Sequence, residues 1–160
     1  VYNAEEVILG TTYEGRSILA NKIPSTVPNA PHIVVECGSQ GNDWNSVSFC
    51  ESLVDYVESS SESSPLAQVE WTIISKLNPD GYEYSKNNDS SWRKNRNPVH
   101  KEETGCVGID TNRNWASNKW GDPDGSDTDP CSNTFCGEAF LIPSRKSWRQ
   151  SQLDSPPPPG

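Results

Sequence analysis

Histidine is scarce in this chain: of 160 residues, only His32 and His100 carry an imidazole. His32 stands beside Pro31 at the start of an apolar run and His100 lies in a polar stretch, so neither belongs to a metal-ligand motif. Basic residues are also few. Thirteen Lys and Arg face 22 Asp and Glu, and a net charge of -9 with a pI near 4.6 leaves no basic patch for nucleic acid or for an anionic membrane. No apolar run approaches the length that spans a bilayer, and the N-terminus lacks the charged start and apolar centre of a signal peptide. Apolar residues make up 32% of the chain and the mean hydropathy is -0.75, which predicts a lean core and much loop. Internal repeats are absent. The length suits one ordinary domain and is too short for two.

What is present includes five cysteines, a number that suggests an oxidising compartment; the alternative is a set of small buried hydrophobes in a cytosolic protein. Asn88-Asp89-Ser90 fits a glycosylation acceptor, compatible with secretion. Val7 to Leu9, Thr11 to Tyr13 and Ser17 to Ile23 read as a hairpin around Glu14-Gly15. His32 to Cys37 is short, apolar and β-branched, ended by Gly38, and reads as a buried strand. Its C-terminal end is where an open α/β sheet places a site. Val47, Phe49, Cys50, Leu53, Val54 and Val57 recur close to helical spacing before the polar stop Ser59 to Pro65. Val69 to Leu77 supplies the next strand, and Asn78-Pro79-Asp80-Gly81 is a turn signal directly after it. From Tyr84 to Gly137 no periodicity is sustained. The fold class is therefore α/β, a mixed, mostly parallel open sheet flanked by helices.

Three motifs carry the functional information: Leu77-Asn78-Pro79-Asp80-Gly81-Tyr82-Glu83-Tyr84, then Trp92-Arg93-Lys94-Asn95-Arg96, then Asp110-Thr111-Asn112-Arg113-Asn114-Trp115. In this order and spacing they resemble the catalytic domain of the zinc metallocarboxypeptidases of the carboxypeptidase A/B, or funnelin, type. The resemblance covers residues 5 to 140 and then stops, and the chain closes on Ser155 and the polyproline-type Pro156-Pro157-Pro158-Pro159-Gly160. The expected division is a partial catalytic domain over 1–140 and a non-homologous tail over 141–160. A truncated copy, an alternative transcript or a shifted reading frame would give this end, and so would a natural proline-rich linker.

The resemblance implies disulfides between Cys37 and Cys50 and between Cys106 and Cys131, with Cys136 left over. It also implies a catalytic Zn2+. Where the family carries His-x-x-Glu before a Trp, this chain reads Gln40-Gly41-Asn42-Asp43-Trp44. An amide oxygen is a weak neutral zinc ligand, and Asp is one methylene shorter than Glu, so zinc affinity is expected to be weak or lost. The family's third ligand, general base, mobile Tyr and specificity-pocket residue correspond to positions beyond this chain. Arg93 matches the arginine that stabilises the oxyanion of the tetrahedral intermediate. Asn112 and Arg113 match the pair that grips the substrate's C-terminal carboxylate, one a neutral donor and the other a bidentate fork. Two further family arginines are Asn42 and Ser90 here. Arg93 and Arg113 also admit a purely structural role as partners of the abundant acids. The implied activity is zinc-dependent removal of C-terminal residues from peptides by a secreted monomer whose partner is a peptide or protein C-terminus. Three readings follow: such an enzyme, a non-catalytic binder of peptide C-termini, and a fragment without function, whose incomplete sheet would expose an edge.

Overall fold

The computed structural model describes residues 4–115 and 125–138; the tail expected over 141–160 lies outside them. Strands β1 (Glu5–Thr11) and β2 (Ser17–Ile23) form the expected antiparallel hairpin, in register from Glu5 with Lys22 to Thr11 with Ser17 and bulged between Ile8 and Gly10. Strand β3 (His32–Glu36) leads through helix α1 (Trp44–Glu58) to strand β4 (Glu70–Ile74). The sheet order is β1-β2-β4-β3, so the last strand in sequence lies inside. Trp71, Thr72, Ile73 and Ile74 are all buried, as a central strand of β-branched and aromatic residues requires.

The sheet is mixed, as expected, and among the described strands its parallel share is the β3–β4 pairing alone. Only that pair is joined by a helical crossover, which a parallel connection needs; the hairpin turn enforces the antiparallel β1–β2 pairing, and β2 also pairs antiparallel with β4. One expectation is corrected. His32–Glu36, read as buried, is half exposed, with Ile33 at 39%, because β4 is its only neighbour among the described residues.

Helix α1 buries Val47, Cys50, Val54 and Val57. Cys50, Val54 and Val57 cluster with Ile23, Trp71 and Ile73 from the sheet, each fully buried aliphatic side chain contributing about 1.5–3 kcal/mol. Phe49, counted in the apolar stripe, faces outward instead. The Cys37–Cys50 disulfide ties the end of β3 to this helix. On the opposite face Ile18, Ala20, Ile74 and Leu77 pack with Val7 and Leu9.

Asn78-Pro79-Asp80-Gly81, read as a turn, instead starts helix α2 (Pro79–Asn87). Asn78 Oδ1 accepts the Gly81 N–H at 2.9 Å, Pro79 occupies the first turn where a missing N–H costs nothing, and Asp80 sits near the positive end of the helix. Asp80 is buried and also takes Thr12 Oγ1 at 2.7 Å, the Glu14 N–H at 3.1 Å and Arg16 Nη1 at 2.8 Å. The hairpin turn is thereby latched to α2. After α2, the described residues form only a short helix α3 (Lys101–Thr104) and the 3-10 turn Thr111–Arg113 as helical elements; the Cys106–Cys131 disulfide links this region, and Cys136 is free and buried. Among the described residues no helix is long and apolar enough to cross a membrane.

Candidate active site

Because β3 and β4 run parallel, the loops that follow them leave the sheet at the same end. They are laced together there, with Leu77 N donating to Cys37 O and Asn78 N to Gly38 O, each at 3.0 Å. Two later segments complete the wall. Gly41 N donates to Arg93 O at 2.8 Å, Asn95 N to Ile109 O at 3.0 Å, and Thr111 Oγ1 to Ser39 O. Position 41 has no room for a side chain: a Cβ there would lie 2.5 Å from Gly81 O and 2.8 Å from Trp92 O. The loop that should hold metal is thus pinned by backbone contacts to α2 and to the Arg93 segment.

Its side chains do other work. Asp43 is exposed and caps α1, accepting the Ser46 N–H at 3.4 Å, and its own N–H donates to Gln40 O at 3.2 Å. Asn42 Nδ2 reaches Ser91 O at 3.4 Å. The donors at the two ligand positions are therefore one neutral amide and one capping carboxylate. Among the described residues no three His, Cys, Asp or Glu side chains gather as a metal site. This donor set does not fit a catalytic zinc, which takes three imidazole, carboxylate or thiolate ligands. Both histidines have structural neighbours: His32 Nε2 lies 2.9 Å from Thr72 Oγ1, and the His100 ring stands edge-on to Phe135 at 5.2 Å.

The predicted arginines and asparagine, in contrast, are brought together. Arg93 Nε donates to Asp110 Oδ2 at 2.9 Å, and Nη2 stands in ion-pair contact with the same oxygen at 2.9 Å. Arg113 Nε stands 3.9 Å from the same oxygen, an ion pair without a hydrogen bond. Asp110 Oδ1 accepts the backbone N–H of Asn112 at 3.0 Å, capping the 3-10 turn Thr111–Arg113. Asp110 has no exposure at all, whereas the Arg93 and Arg113 side chains are 26% and 37% exposed and Asn112 is exposed. One buried carboxylate thus faces two guanidiniums at the surface, and the group keeps an excess of one positive charge in a chain of net -9. Next to Arg93, Lys94 turns inward, where Nζ donates to Pro130 O at 2.7 Å. Burial lowers its pKa, and the fields of Asp129 and Asp110 oppose that shift.

Asp110 is the functional position that sequence reasoning passed over, although it opens the third motif. The available signal was Asp two residues before Asn112, a side-chain-to-backbone cap that organises a tight turn.

Comparison with known proteins places this wall in context. The zinc carboxypeptidase family profile matches residues 3–153. Carboxypeptidase B of Rattus norvegicus is 34% identical over 137 residues, which make up 82% of this chain and 32% of that protein. An inactive metallocarboxypeptidase of Schizosaccharomyces pombe is 35% identical over 147 residues, 84% of this chain and 28% of that protein. Bovine thrombin-activatable fibrinolysis inhibitor, solved in complex with tick carboxypeptidase inhibitor, superposes with a TM-score of 0.82 at 30% identity, covering 94% of this chain and 49% of that one. The chain accordingly spans about a third of the length of such curated relatives, 32% for the rat enzyme. With the profile matched over nearly its whole length and its arginine wall standing at the mouth of the parallel strands, this chain belongs to the zinc carboxypeptidase family.

Proposed function

We propose that this chain is a non-catalytic member of its family that captures the C-terminal carboxylate of a peptide or protein, and that it holds zinc weakly or not at all. Asn112 and Arg113 grip the carboxylate, and Arg93 supplies a further cationic donor toward the adjoining carbonyl. The observation that carries this reading is the contrast within one site. Arg93 and Arg113 are both held on buried Asp110, while Gln40 is a neutral amide and Asp43 is engaged in capping α1. Without a metal-activated water, Arg93 has no developing oxyanion to stabilise and acts only in binding. The likeness to a relative named as an inactive metallocarboxypeptidase supports the same reading. Two disulfides support an oxidising compartment, in keeping with a secreted protein.

Isothermal titration with a short peptide bearing a free C-terminus, beside its C-terminal amide, tests the proposal. Micromolar binding of the acid, absence of binding by the amide, and no dependence on a chelator are expected. Equal affinity for both peptides refutes the carboxylate grip. Release of C-terminal residues that a chelator abolishes would instead restore the enzyme reading.

A further inference from the structure

All three residues assigned to the ligand depend on the two oxygens of a single side chain. Asp110 Oδ2 accepts from Nε of Arg93 at 2.9 Å, meets its Nη2 as an ion pair at 2.9 Å and faces Arg113 Nε at 3.9 Å, while Oδ1 accepts the Asn112 N–H at 3.0 Å. The Asp110 backbone is itself held, its N–H donating to Phe135 O at 2.8 Å. The neighbouring Thr111 hydroxyl donates to Ser39 O, in the loop after β3. We propose that Asp110 is the positioning residue of the carboxylate grip, setting the direction of both guanidiniums and the backbone at Asn112 so that they converge on one ligand carboxylate.

The division of nitrogens supports this. Arg93 hydrogen-bonds Asp110 through Nε, with Nη2 in ion-pair contact, leaving Nη1 for a ligand; Arg113 meets the same oxygen by an ion pair at 3.9 Å with no hydrogen bond, leaving its whole Nη fork, among the described residues. A guanidinium anchored at its stem loses little further freedom on binding, and such preorganisation raises affinity without a new contact. Burial makes the anchor stiff. Turning Arg93 away would leave the Asp110 carboxylate, with no exposure, short of a partner in a low-dielectric setting. A rival role gives the opposite sign: a mere countercharge to the arginines would compete with the ligand, and its removal would strengthen anion binding.

The inference rests on the proposed carboxylate binding, so its test has one arm that needs no ligand. In the ligand-free chain, the Nε–Hε resonances of Arg93 and Arg113 are recorded by NMR in the parent and in Asp110→Asn, which keeps the acceptor for the Asn112 N–H and removes the charge. Slow side-chain motion at Arg93 in the parent is expected, with both resonances displaced and Arg93 mobilised in the variant, while Arg16, paired elsewhere with Asp80, stays unchanged. An Arg93 stem in the parent as mobile as a solvated arginine overturns the proposal, and this reading stands even where Asp110→Asn does not fold. In the second arm, the peptide acid binds Asp110→Asn about ten- to a hundredfold more weakly than the parent, the range of a misaimed donor set. Tighter binding makes Asp110 a countercharge and overturns the inference. A parent that binds no peptide acid but shows the expected Nε behaviour refutes the binding function and leaves the positioning role standing.

Discussion

The loop after β3 and the arginine wall are one hydrogen bond apart, Gly41 N to Arg93 O at 2.8 Å, yet their side chains are committed to the fold unequally. In the loop, everything that fixes the backbone is in place: Gly41 fits against Gly81 and Trp92, Asp43 caps α1, and the Gly38 N–H is taken by Ser46 Oγ at 3.0 Å. Among the described residues none of this uses the side chain of Gln40, and Asn42 makes one long contact, so of the two ligand positions Gln40 is free to change at little cost to the fold while Asp43 carries the cap. In the wall the opposite holds. Arg93 cannot be lost without stranding the buried carboxylate of Asp110, so selection for stability alone would retain it. The presence of Arg93 is therefore weaker support for the proposed binding than that of Arg113, whose longer contact and greater exposure contribute less to folding. Scaffold and chemistry are separable in this site, and each residue has to be asked which of the two it serves.

The largest test breaks the wall from beneath. Asp110→Ala removes the shared anion and the cap of the Thr111–Arg113 turn together, and a loss of about 3–5 kcal/mol is expected in urea unfolding, the range for breaking a buried pair. A loss under about 1 kcal/mol would place Asp110 among surface ion pairs and undo the distinction between the two regions.

Arg113→Ala then separates binding from folding within the wall. Affinity for the peptide acid should fall by at least about tenfold, equivalent to about 1.4 kcal/mol. The unfolding free energy should change by less than about 1 kcal/mol, since the ion pair it leaves is at 3.9 Å and partly solvated. If stability falls and affinity does not, Arg113 is a structural partner for the acids of this chain.

The comparison sharpens from the other side by restoring the loop. The double variant Gln40→His with Asp43→Glu should keep the fold and, with two of the three ligands restored, gain a zinc-dependent rise in the thermal midpoint only at zinc above the weak Kd of a two-ligand site, whereas the parent's cooperative transition should be indifferent to zinc. At tenfold excess over its Kd, zinc would add about 1.4 kcal/mol. An upward shift in the parent would show that Gln40 and Asp43 still hold metal. Absence of any cooperative transition in the parent would favour the fragment without function.

How much of this was legible in advance depended on whether the deciding interaction is local. The hairpin, α1 and β4 were readable because their apolar spacing repeats over a whole element. Helix α2 was not, because Asn, Pro, Asp and Gly serve a turn and a helix start equally well, and the choice is made by what Asp80 meets on the hairpin. The exposure of β3 was illegible for a related reason: strand burial is set by neighbours that its own five residues do not specify. Arg93, Asn112 and Arg113 were found through their motifs. Asp110 stood in the same motif, where its spacing to Asn112 signals a turn cap, but its pairing with the arginines shows only in having no solvent and two guanidiniums around it, which is a property of the folded chain.

The smallest effect expected is at Asp43, and it bears on the same contrast. If this side chain now serves only the scaffold, Asp43→Ala costs the α1 cap and nothing else. That is about 0.5–1 kcal/mol, near the low end for caps because the bond to the Ser46 N–H is long at 3.4 Å. Asp43→Asn, an equally good acceptor without the charge, should be nearly neutral, and both variants should bind the peptide acid as the parent does. An Asn variant as unstable as the Ala one would mean that the negative charge matters more than the hydrogen bond. That result points either to the field of the helix N-terminus or to a cation held in the loop. Repeating the melt at high salt separates the two: screening should erase a helix-dipole contribution at an exposed carboxylate, and a chelator should erase the other.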